Sequence, residues 1–425
     1  MEKLRVGVLG GTGMVGQRFI QILENHPWFE VAEIAASPRS AGHTYGEAVD
    51  GRWKLDGEVP ENVKNIVVRD INDVKTVADN VDFVLSAVNM SKDEIKKIEE
   101  EYAKTETPVV SNNSAHRWTP DVPMIIPEIN PEHTAVIEYQ KKRLGTQRGF
   151  IAVKPNCSIQ SYTPALAAWK EYEPYEVVAT TYQAISGAGK TFKDWPEMNG
   201  NVIPFISGEE EKSEREPLRI FGHIENGQIV PAESPLITCQ CIRIPVLYGH
   251  TAAAFVRFKQ DPTKEELIEK LRAFSGVPQE LKLPSAPEHF IQYMEEDDRP
   301  QVMKDVNYEG GMGVSIGRLR KDTMFDWKFV PQHAARRCRR SRGVCRATDR
   351  SELHSAQVKQ IKTGMQSWFF VRAGKKTGSS FSHRRSAWEK EYLLQRSQAW
   401  PRILQRPCMR TSPIGTDIRS RRIRL

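Results

Sequence analysis

The stretch of sequence that decides the fold is LRVGVLGGTGMVGQRFIQIL, which spans residues 4–23. Its first six residues are mostly apolar and predict a buried strand, whereas the apolar periodicity from residue 15 predicts a helix. Between them lie Gly10, Gly13 and Gly16. Glycines at a strand–helix junction let the backbone approach a phosphate, which amides at the helix N-terminus bind. The spacing departs slightly from the usual dinucleotide fingerprint, so a plain tight turn is the alternative.

The second predicted strand, residues 29–36, bears on which dinucleotide would bind. An NAD site needs a carboxylate at the end of this strand for the ribose 2′-hydroxyl. The chain has Ser37, Arg39 and Ser40 there, and Glu33 lies too early to reach the ribose. A cation with hydroxyls suits a 2′-phosphate, so the pattern favours NADP. A solvent-exposed surface cation is the alternative for Arg39.

Strands and helices alternate through the first part of the chain. Further strands are predicted at residues 66–68, 83–86 and 108–111, and a charged helix at residues 92–104. This alternation predicts an α/β fold in which the first domain, residues 1–150, holds a Rossmann-type parallel sheet.

Helices become fewer in the following part, residues 151–330. The predicted elements there are a helix at 262–274 and strands at 177–185, 230–245, 251–258, 313–319 and 324–330. We therefore expect an α+β domain with a mixed, largely antiparallel sheet. A sheet face of that size needs cover, which predicts a subunit partner.

Lys154-Pro155-Asn156-Cys157-Ser158 has the pattern of a strand end, a tight turn and a helix start. The partial positive charge of a helix N-terminus would favour the thiolate of Cys157, which is the nucleophilic form. The alternative is a buried cysteine that acts as a small apolar side chain.

Polar groups elsewhere provide possible partners for this cysteine. Arg243 lies in an apolar strand, where an unpaired guanidinium is costly and requires an anion. His250 follows a glycine at a strand start and could accept a proton near neutral pH. Glu209 and Lys212 share a helix face, where a surface ion pair is the alternative.

The segment Asn112-Asn113-Ser114-Ala115-His116-Arg117 follows a predicted strand end, where ligands of parallel sheets bind. Its amide, hydroxyl and guanidinium groups predict an anion site, with a polar loop as the alternative. We expect Arg117 to depress the pKa of His116, which would make that histidine a poor base.

Composition bears on the cellular location of the protein and on metal binding. No apolar run reaches membrane-spanning length, and no signal peptide is visible before the first strand. The six cysteines show no metal-ligand spacing, and the pattern predicts no metal site. Few cysteines for this length favour a reducing, cytoplasmic location.

Charge is unevenly distributed along the 425 residues. Residues 331–425 contain 23 Lys and Arg against 5 Asp and Glu, whereas residues 1–330 contain 38 basic and 49 acidic residues. A mildly acidic body therefore carries a strongly basic tail, which is one signature of nucleic-acid binding.

Taken together, these segments identify the chain as similar to the aspartate-β-semialdehyde dehydrogenase family, in its archaeal and fungal branch. The resemblance covers about residues 3–330. It rests on motifs GGTGMVG (10–16), SNNSAHR (111–117), PNCS (155–158), QAISG (183–187), GEEEK (208–212) and RIPVLYGH (243–250).

The resemblance implies NADP-dependent interconversion of aspartyl phosphate with aspartate semialdehyde and phosphate, on the route to lysine, threonine and methionine. It implies a catalytic set of Cys157 as thioester-forming nucleophile, His250 as acid/base and Gln183 as acyl-orienting group. It implies substrate contacts from Arg243, Glu209, Arg117, Asn156 and Lys212, with the last three on phosphate. It implies NADP contacts from Gly10, Thr12, Gly13, Met14, Val15, Gly16, Ser37, Arg39, Ser40, Ser86, Ser186 and Gly187, and a homodimer or homotetramer.

After residue 330 the family pattern stops. The family continues with a small-residue helix, whereas residues 331–425 have scattered arginines and little apolar periodicity. This break is typical of an out-of-frame reading of a GC-rich gene, and it predicts a poorly ordered tail, reduced stability and weak NADP binding. The competing interpretation is a genuine basic appendage that binds nucleic acid.

Two other functions stay open. One is a related acyl-phosphate or acyl-CoA reductase that acts on N-acetylglutamyl phosphate or an acyl-CoA; an acetylated amine would not need Glu209. The other is a catalytically impaired nucleotide- or RNA-binding protein that uses the basic tail.

Overall fold

A computed structural model describes residues 2–333 of the chain. Its first sheet has six strands in the order β3-β2-β1-β4-β5-β6, and every pair is parallel. This is the strand order of doubly wound dinucleotide-binding domains. The strands are β1 (Leu4–Leu9), β2 (Phe29–Ala36), β3 (Arg69–Asp70), β4 (Phe83–Ser86), β5 (Val109–Ser111) and β6 (Ile151–Val153).

Helices connect these strands: α1 (Met14–Leu23), α2 (Tyr45–Val49), α3 (Glu61–Lys64), α4 (Val74–Asp79), α5 (Lys92–Lys104) and α6 (Ile137–Leu144). The junction from β1 to α1 depends on glycine. A Cβ on Gly16 would lie 2.2 Å from the carbonyl oxygen of Gly10, which itself has a φ of +77°. Only glycines allow the strand end and the helix start to pack this closely.

The second sheet has the order β10-β7-β11-β14-β13-β12. Its three central pairs are antiparallel and its two outer pairs are parallel. The strands are β7 (Pro174–Gln183), β10 (Leu236–Arg243), β11 (His250–Phe258), β12 (Ile291–Met294), β13 (Val314–Lys321) and β14 (Trp327–His333); a separate hairpin pairs β8 (His223–Glu225) with β9 (Gln228–Val230).

The helices of this part are α7 (Thr163–Ala168), α8 (Glu209–Ile220), α9 (Lys264–Ala273), α10 (Val277–Glu280) and α11 (Val302–Asp305). Trp169, fully buried, connects two of them, because its indole N–H donates to the carbonyl of Leu267 on α9 at 2.9 Å. The predicted fold class, a Rossmann-type parallel sheet followed by a mixed sheet, is confirmed.

Several boundaries differ from the prediction. The strand expected at 66–68 lies at 69–70, and β6 at 151–153 joins the first sheet beyond the expected limit of 150. Strand β14 continues to residue 333, three residues past the expected end of the second domain. Strand β12 and helix α6 were not predicted, because each is short and depends on its tertiary partners.

The predictions for the basic tail concern mainly residues 334–425, which lie outside the described residues. Across residues 2–333, no helix is long and apolar enough to cross a membrane.

Candidate active site

Sheet topology gathers three of the predicted site residues at one edge. Strands β10 and β7 run parallel and end together, with Arg243 paired in register with Gln183. Strand β11 runs antiparallel to β7 and starts there, with Thr251 opposite Tyr182. His250 therefore lies at the same edge as Gln183 and Arg243.

The loop after β6 brings the sulfur of Cys157 to this edge. The Sγ atom of Cys157 lies 3.2 Å from Nε2 of His250. On the other side of the ring, Nδ1 of His250 accepts the backbone N–H of Ala184 at 3.1 Å. This second contact assigns the ring hydrogen of neutral His250 to Nε2, so the N–H points at the sulfur.

The helix-start prediction for Cys157 was wrong in one respect. Regular helix α7 begins only at Thr163, and tight turns fill residues 157–162. No dipole of a regular helix therefore begins at the sulfur. Burial instead raises the pKa of the Cys157 thiol, and nearby cations, Lys154 foremost, act against that rise.

His250 is itself fully buried, and burial together with the charge of Arg243 lowers its pKa to about 3. The ring is therefore neutral at physiological pH. It can donate a hydrogen bond to a thiolate, but with Nδ1 occupied by Ala184 it is not placed to accept a thiol proton.

Glu209 joins several of the predicted groups. Its carboxylate accepts Nζ of Lys212 at 2.8 Å, Nδ2 of Asn156 at 2.7 Å and Nε2 of Gln183 at 3.4 Å. Burial pushes the pKa of Glu209 upward, but these hydrogen bonds and the charge of Lys212 outweigh it and lower the pKa. Neighbouring Glu211 instead pairs with Arg215 on the exposed side of α8.

Glu216 is a site residue that sequence reasoning missed. Its side chain is 1% exposed and accepts Nη1 of Arg117 at 3.0 Å and the backbone N–H of Asn156 at 2.6 Å. It thus fixes the arginine against residues 154–158, the nucleophile loop. The one available signal was an acidic residue on the buried stripe of α8, between Ser213 and Ile220.

The predicted anion segment, residues 112–117, follows β5 as expected. Arg117 donates to the carbonyls of Lys154 (3.0 Å) and Asn112 (3.3 Å) as well as to Glu216, so it also supports the backbone around the nucleophile. The pKa of His116 is lowered as predicted, but the main cause is burial rather than Arg117.

Arg243 is 6% exposed and donates to the carbonyl of Ala184 at 2.7 Å. Within residues 2–333, no carboxylate lies in ion-pair distance of its guanidinium. A buried cation without a partner carboxylate beside Cys157 is suited to a carboxylate ligand.

The predicted dinucleotide turn lies between β1 and α1. Gly13 is the N-cap of α1 and offers no side-chain hydrogen bond, so the amides of Met14, Val15 and Gly16 are left for an outside acceptor. Met14 packs against Tyr248 and Val306 of the second domain, which brings the turn close to the segment that carries His250.

The other predicted NADP contacts differ in burial. Ser37 and Arg39 are exposed, and Thr12 is half-buried. The hydroxyl oxygens of Ser40 and Ser186 are buried without a hydrogen-bond partner among the described residues. This is consistent with hydrogen bonds from these two hydroxyls to a bound cofactor. Gly187 leaves little room, because an added Cβ would lie 3.0 Å from Nη1 of Arg243.

Ser86, another predicted cofactor contact, has its hydroxyl bound within the protein. The residue is fully buried, and its hydroxyl donates to Glu99 at 2.7 Å, as does that of Ser111 at 2.6 Å. The buried carboxylate of Glu99 needs these donors. The hydroxyl of Ser86 therefore supports the strand ends, and its predicted contact with the cofactor stays a prediction.

Comparison with known proteins agrees with this architecture. Residues 5–137 match the model of the semialdehyde dehydrogenase NAD binding domain, and residues 165–331 match that of the semialdehyde dehydrogenase dimerisation domain. The aspartate-semialdehyde dehydrogenase of Methanothermobacter thermautotrophicus is 43% identical over 323 residues, which covers 76% of this chain and 90% of that protein. The chain belongs to the aspartate-semialdehyde dehydrogenase family.

Fungal members of the aspartate-semialdehyde dehydrogenase family are also similar. The Aspergillus fumigatus enzyme is 38% identical over 337 residues, 77% of this chain and 91% of that protein. The crystal structure of aspartate semialdehyde dehydrogenase with NADP from Candida albicans aligns with a TM-score of 0.73 at 32% identity and covers 87% of this chain and 99% of that one. The predicted family and its archaeal and fungal relatives are thus confirmed.

Proposed function

We propose that this protein catalyses the NADP-dependent interconversion of L-4-aspartyl phosphate with L-aspartate 4-semialdehyde and phosphate, through a thioester on Cys157. The observation that carries the proposal is the 3.2 Å contact between Nε2 of His250 and Sγ of Cys157, at the edge where Arg243 and Gln183 meet. Family membership and the NADP complex of the Candida albicans relative support the substrate and the cofactor.

The substrate is a small anion with an amino group, and the site offers a complement to each part. Arg243 would hold the α-carboxylate as a bidentate pair. Glu209 would hold the amino group, which an N-acetylated substrate would lack. The geometry therefore favours a free amino acid over an N-acetylglutamyl or acyl-CoA substrate.

The phosphate would lie near the nucleophile loop, where Arg117, Asn156 and Lys212 supply donors. Their hydrogen bonds to Glu216 and Glu209 already hold them in place before a ligand arrives. Such preorganisation spares the entropy of ordering them on binding. Gln183, at the end of β7, would orient the acyl oxygen.

The proposed reaction has two covalent steps. In the first step the Cys157 thiolate attacks the acyl carbon. The S–C bond forms, the C–O bond to phosphate breaks, and phosphate departs, so that a thioester remains on Cys157. When bound, NADPH would supply the hydride that reduces this carbon. The oxyanion produced by this reduction then re-forms its C=O bond and the S–C bond breaks. The aldehyde is released, and Cys157 is again a thiolate. No proton leaves the sulfur in this direction, so a neutral His250 that donates its Nε2–H is sufficient.

The NADP contacts would come from the amides after Gly13 and from Arg39 with Ser37 and Ser40. The dimerisation-domain match indicates an oligomer, and we propose a homodimer or homotetramer. The three cysteines among residues 2–333 are free thiols, which is in keeping with a cytoplasmic enzyme of lysine, threonine and methionine biosynthesis.

The test is phosphate-dependent reduction of NADP with aspartate semialdehyde, comparing the full chain with Cys157→Ala. We expect activity that requires phosphate and that the substitution abolishes. Activity that survives in Cys157→Ala overturns the nucleophile, and activity only with N-acetylglutamate semialdehyde overturns the substrate.

A further inference from the structure

The dinucleotide turn between β1 and α1 is held from the protein interior by two polar side chains, those of Tyr45 and Gln17. Both residues are fully buried. The hydroxyl of Tyr45 donates to the carbonyl of Gly11 at 3.0 Å. Nε2 of Gln17 donates to the carbonyl of the next residue, Thr12, also at 3.0 Å. Two consecutive carbonyls of the turn are therefore bound on its inner side by residues to which the proposed reaction gives no part.

The bond from Tyr45 also sets the direction of an amide. The peptide unit that joins Gly11 to Thr12 is trans, so its C=O and N–H groups point in opposite directions. Because the carbonyl points inward to Tyr45, the N–H of Thr12 points outward. Within residues 2–333, no acceptor lies in hydrogen-bond distance of this N–H, whereas the N–H of Gly13 is used inside the turn by the carbonyl of Gly10 at 3.1 Å.

The direction of these peptide units matters because the turn faces an anion in the proposed function. Backbone N–H groups attract a phosphate, whereas carbonyl oxygens repel it. If the peptide unit between Gly11 and Thr12 rotated, its carbonyl would turn outward and its N–H would be withdrawn. The bonds from the interior oppose this rotation, so the amide is in place before a ligand binds and the cost of ordering it on binding is avoided.

Both supporting side chains belong to segments that are themselves anchored. Tyr45 is the first residue of α2, and its backbone N–H donates to the carbonyl of Ile66 at 2.8 Å. The amide of Gln17 also donates to the carbonyl of Arg52 and accepts the backbone N–H of Lys54, each at 2.9 Å. All hydrogen-bonding groups of the Gln17 side chain are thus engaged, which leaves it a single orientation.

We propose that Tyr45 and Gln17 are positioning residues that aim the Thr12 amide at the diphosphate of bound NADP. Tyr45 sets the direction of this N–H, and Gln17 keeps the carbonyl of Thr12 turned away from the anion. The inference rests on the proposed function for the identity of the anion. It adds one amide of the turn to the three free amides in the first turn of α1.

The test compares the binding of three ligands by isothermal titration calorimetry: NADPH, adenosine 2′,5′-bisphosphate and adenosine 2′-monophosphate. The bisphosphate keeps the 5′-phosphate that would lie on the turn, whereas the monophosphate lacks it. In Tyr45→Phe, which removes only the hydroxyl, we expect the Kd of NADPH and of the bisphosphate to rise roughly three- to tenfold. The Kd of the monophosphate should be unchanged, whereas a general loosening of the domain would weaken all three ligands alike.

Tyr102→Phe is the matched control. Tyr102 is also a fully buried tyrosine of the first domain, and its hydroxyl donates to a backbone carbonyl, that of Ile71, at 3.3 Å. This variant also loses one hydrogen bond to the backbone, but its three Kd values should equal those of the parent. Gln17→Met is a second test variant with the same expected pattern as Tyr45→Phe, and it is used if the phenylalanine variant does not fold by circular dichroism.

Unchanged binding of NADPH and the bisphosphate in a folded test variant overturns the inference, as does an equal rise in Kd for all three ligands. Because binding is measured without semialdehyde, the two proposals fail separately. The expected ligand pattern in a protein without dehydrogenase activity upholds the role of Tyr45 and Gln17 and overturns the reaction. A parent chain that binds none of the three ligands overturns both.

Discussion

The buried pair of Arg117 and Glu216 gives the sharpest test of how the site is held together. Their side chains are 8% and 1% exposed, and Nη1 lies 3.0 Å from the carboxylate. Removing one partner of such a pair leaves an uncompensated buried charge and costs about 3–5 kcal/mol. Glu216→Met also leaves the Asn156 N–H without its 2.6 Å acceptor, which adds about 1–3 kcal/mol.

The double variant Arg117→Met/Glu216→Met has no orphaned charge. Its cost should reduce to imperfect packing and the loss of hydrogen-bond partners by the Asn156 N–H and by the carbonyls of Lys154 and Asn112, without the ~3–5 kcal/mol of an orphaned buried charge. We therefore expect the double variant to be more stable than either single variant, whereas phosphate-dependent activity is lost in all three. The dissociation of stability from activity would show that the pair serves the site rather than the fold.

Urea unfolding, followed by circular dichroism and tryptophan fluorescence, gives the free energy of unfolding of each variant. The matched control is Glu211→Met with Arg215→Met on the same helix, an exposed pair at 68% and 56% whose loss should cost about 1 kcal/mol or less. A double variant less stable than both singles, as simple additivity requires, would refute the reasoning.

Four further predictions concern substrate, cofactor, pH and a helix cap. Arg243→Lys keeps the charge but loses the fork, so kcat/KM for aspartate semialdehyde should fall roughly a hundredfold; a change below threefold would argue against carboxylate binding there. Arg39→Ala should raise the KM for NADP at least tenfold and leave that for NAD unchanged, and equal effects on both would contradict a 2′-phosphate contact. Burial raises the pKa of Glu128 from 4.5 to about 7, so between these values the folded protein holds a proton that the unfolded chain has lost, and stability falls as pH rises. Glu128→Gln should therefore stabilise by up to ~3 kcal/mol at pH 8 and little at pH 4.5, and urea midpoints at both pH values decide this. Thr263→Ala removes the capping box of α9 with Glu266 and should cost about 1 kcal/mol; an unchanged urea midpoint would be inconsistent with the cap.

Much of the fold could be predicted because its determinants are local. Strands β1, β2 and β4 and helix α5 lie at the predicted residues, since each is a clean apolar run or a capped charged helix. Strand β12 escaped prediction because its four residues are recognisable only beside β13. The strand expected at 66–68 moved by a few residues because pairing with β2, rather than propensity, sets its register.

The same distinction between local and tertiary determinants applies to the residues of the candidate site. Cys157, Arg243 and His250 could be proposed from the sequence because each stands at a turn or in an apolar run where its chemistry is out of place, whereas Gln183 was proposed only from the family resemblance. Glu216 was not proposed, since it looks like one more acid on a charged helix until Arg117 is seen against it. The hydrogen bond from Ser86 to Glu99 was likewise not predictable, because the sequence does not show which buried acid a strand-end serine will meet.

The electrostatics of Cys157 show why a local sequence pattern was insufficient. The predicted helix dipole would have come from the residues immediately after the cysteine, but α7 begins six residues later, at Thr163. The cations that oppose the rise in the pKa of Cys157 come instead from the ends of β6 and β10 and from the loop after β5: Lys154, Arg243 and Arg117. Cations held near a half-buried sulfur favour its thiolate, and here they come from elements of both sheets. The reactivity of this cysteine therefore depends on the fold. Replacing a cation at one of these strand ends should change the pKa of Cys157 even where the sulfur stays in place.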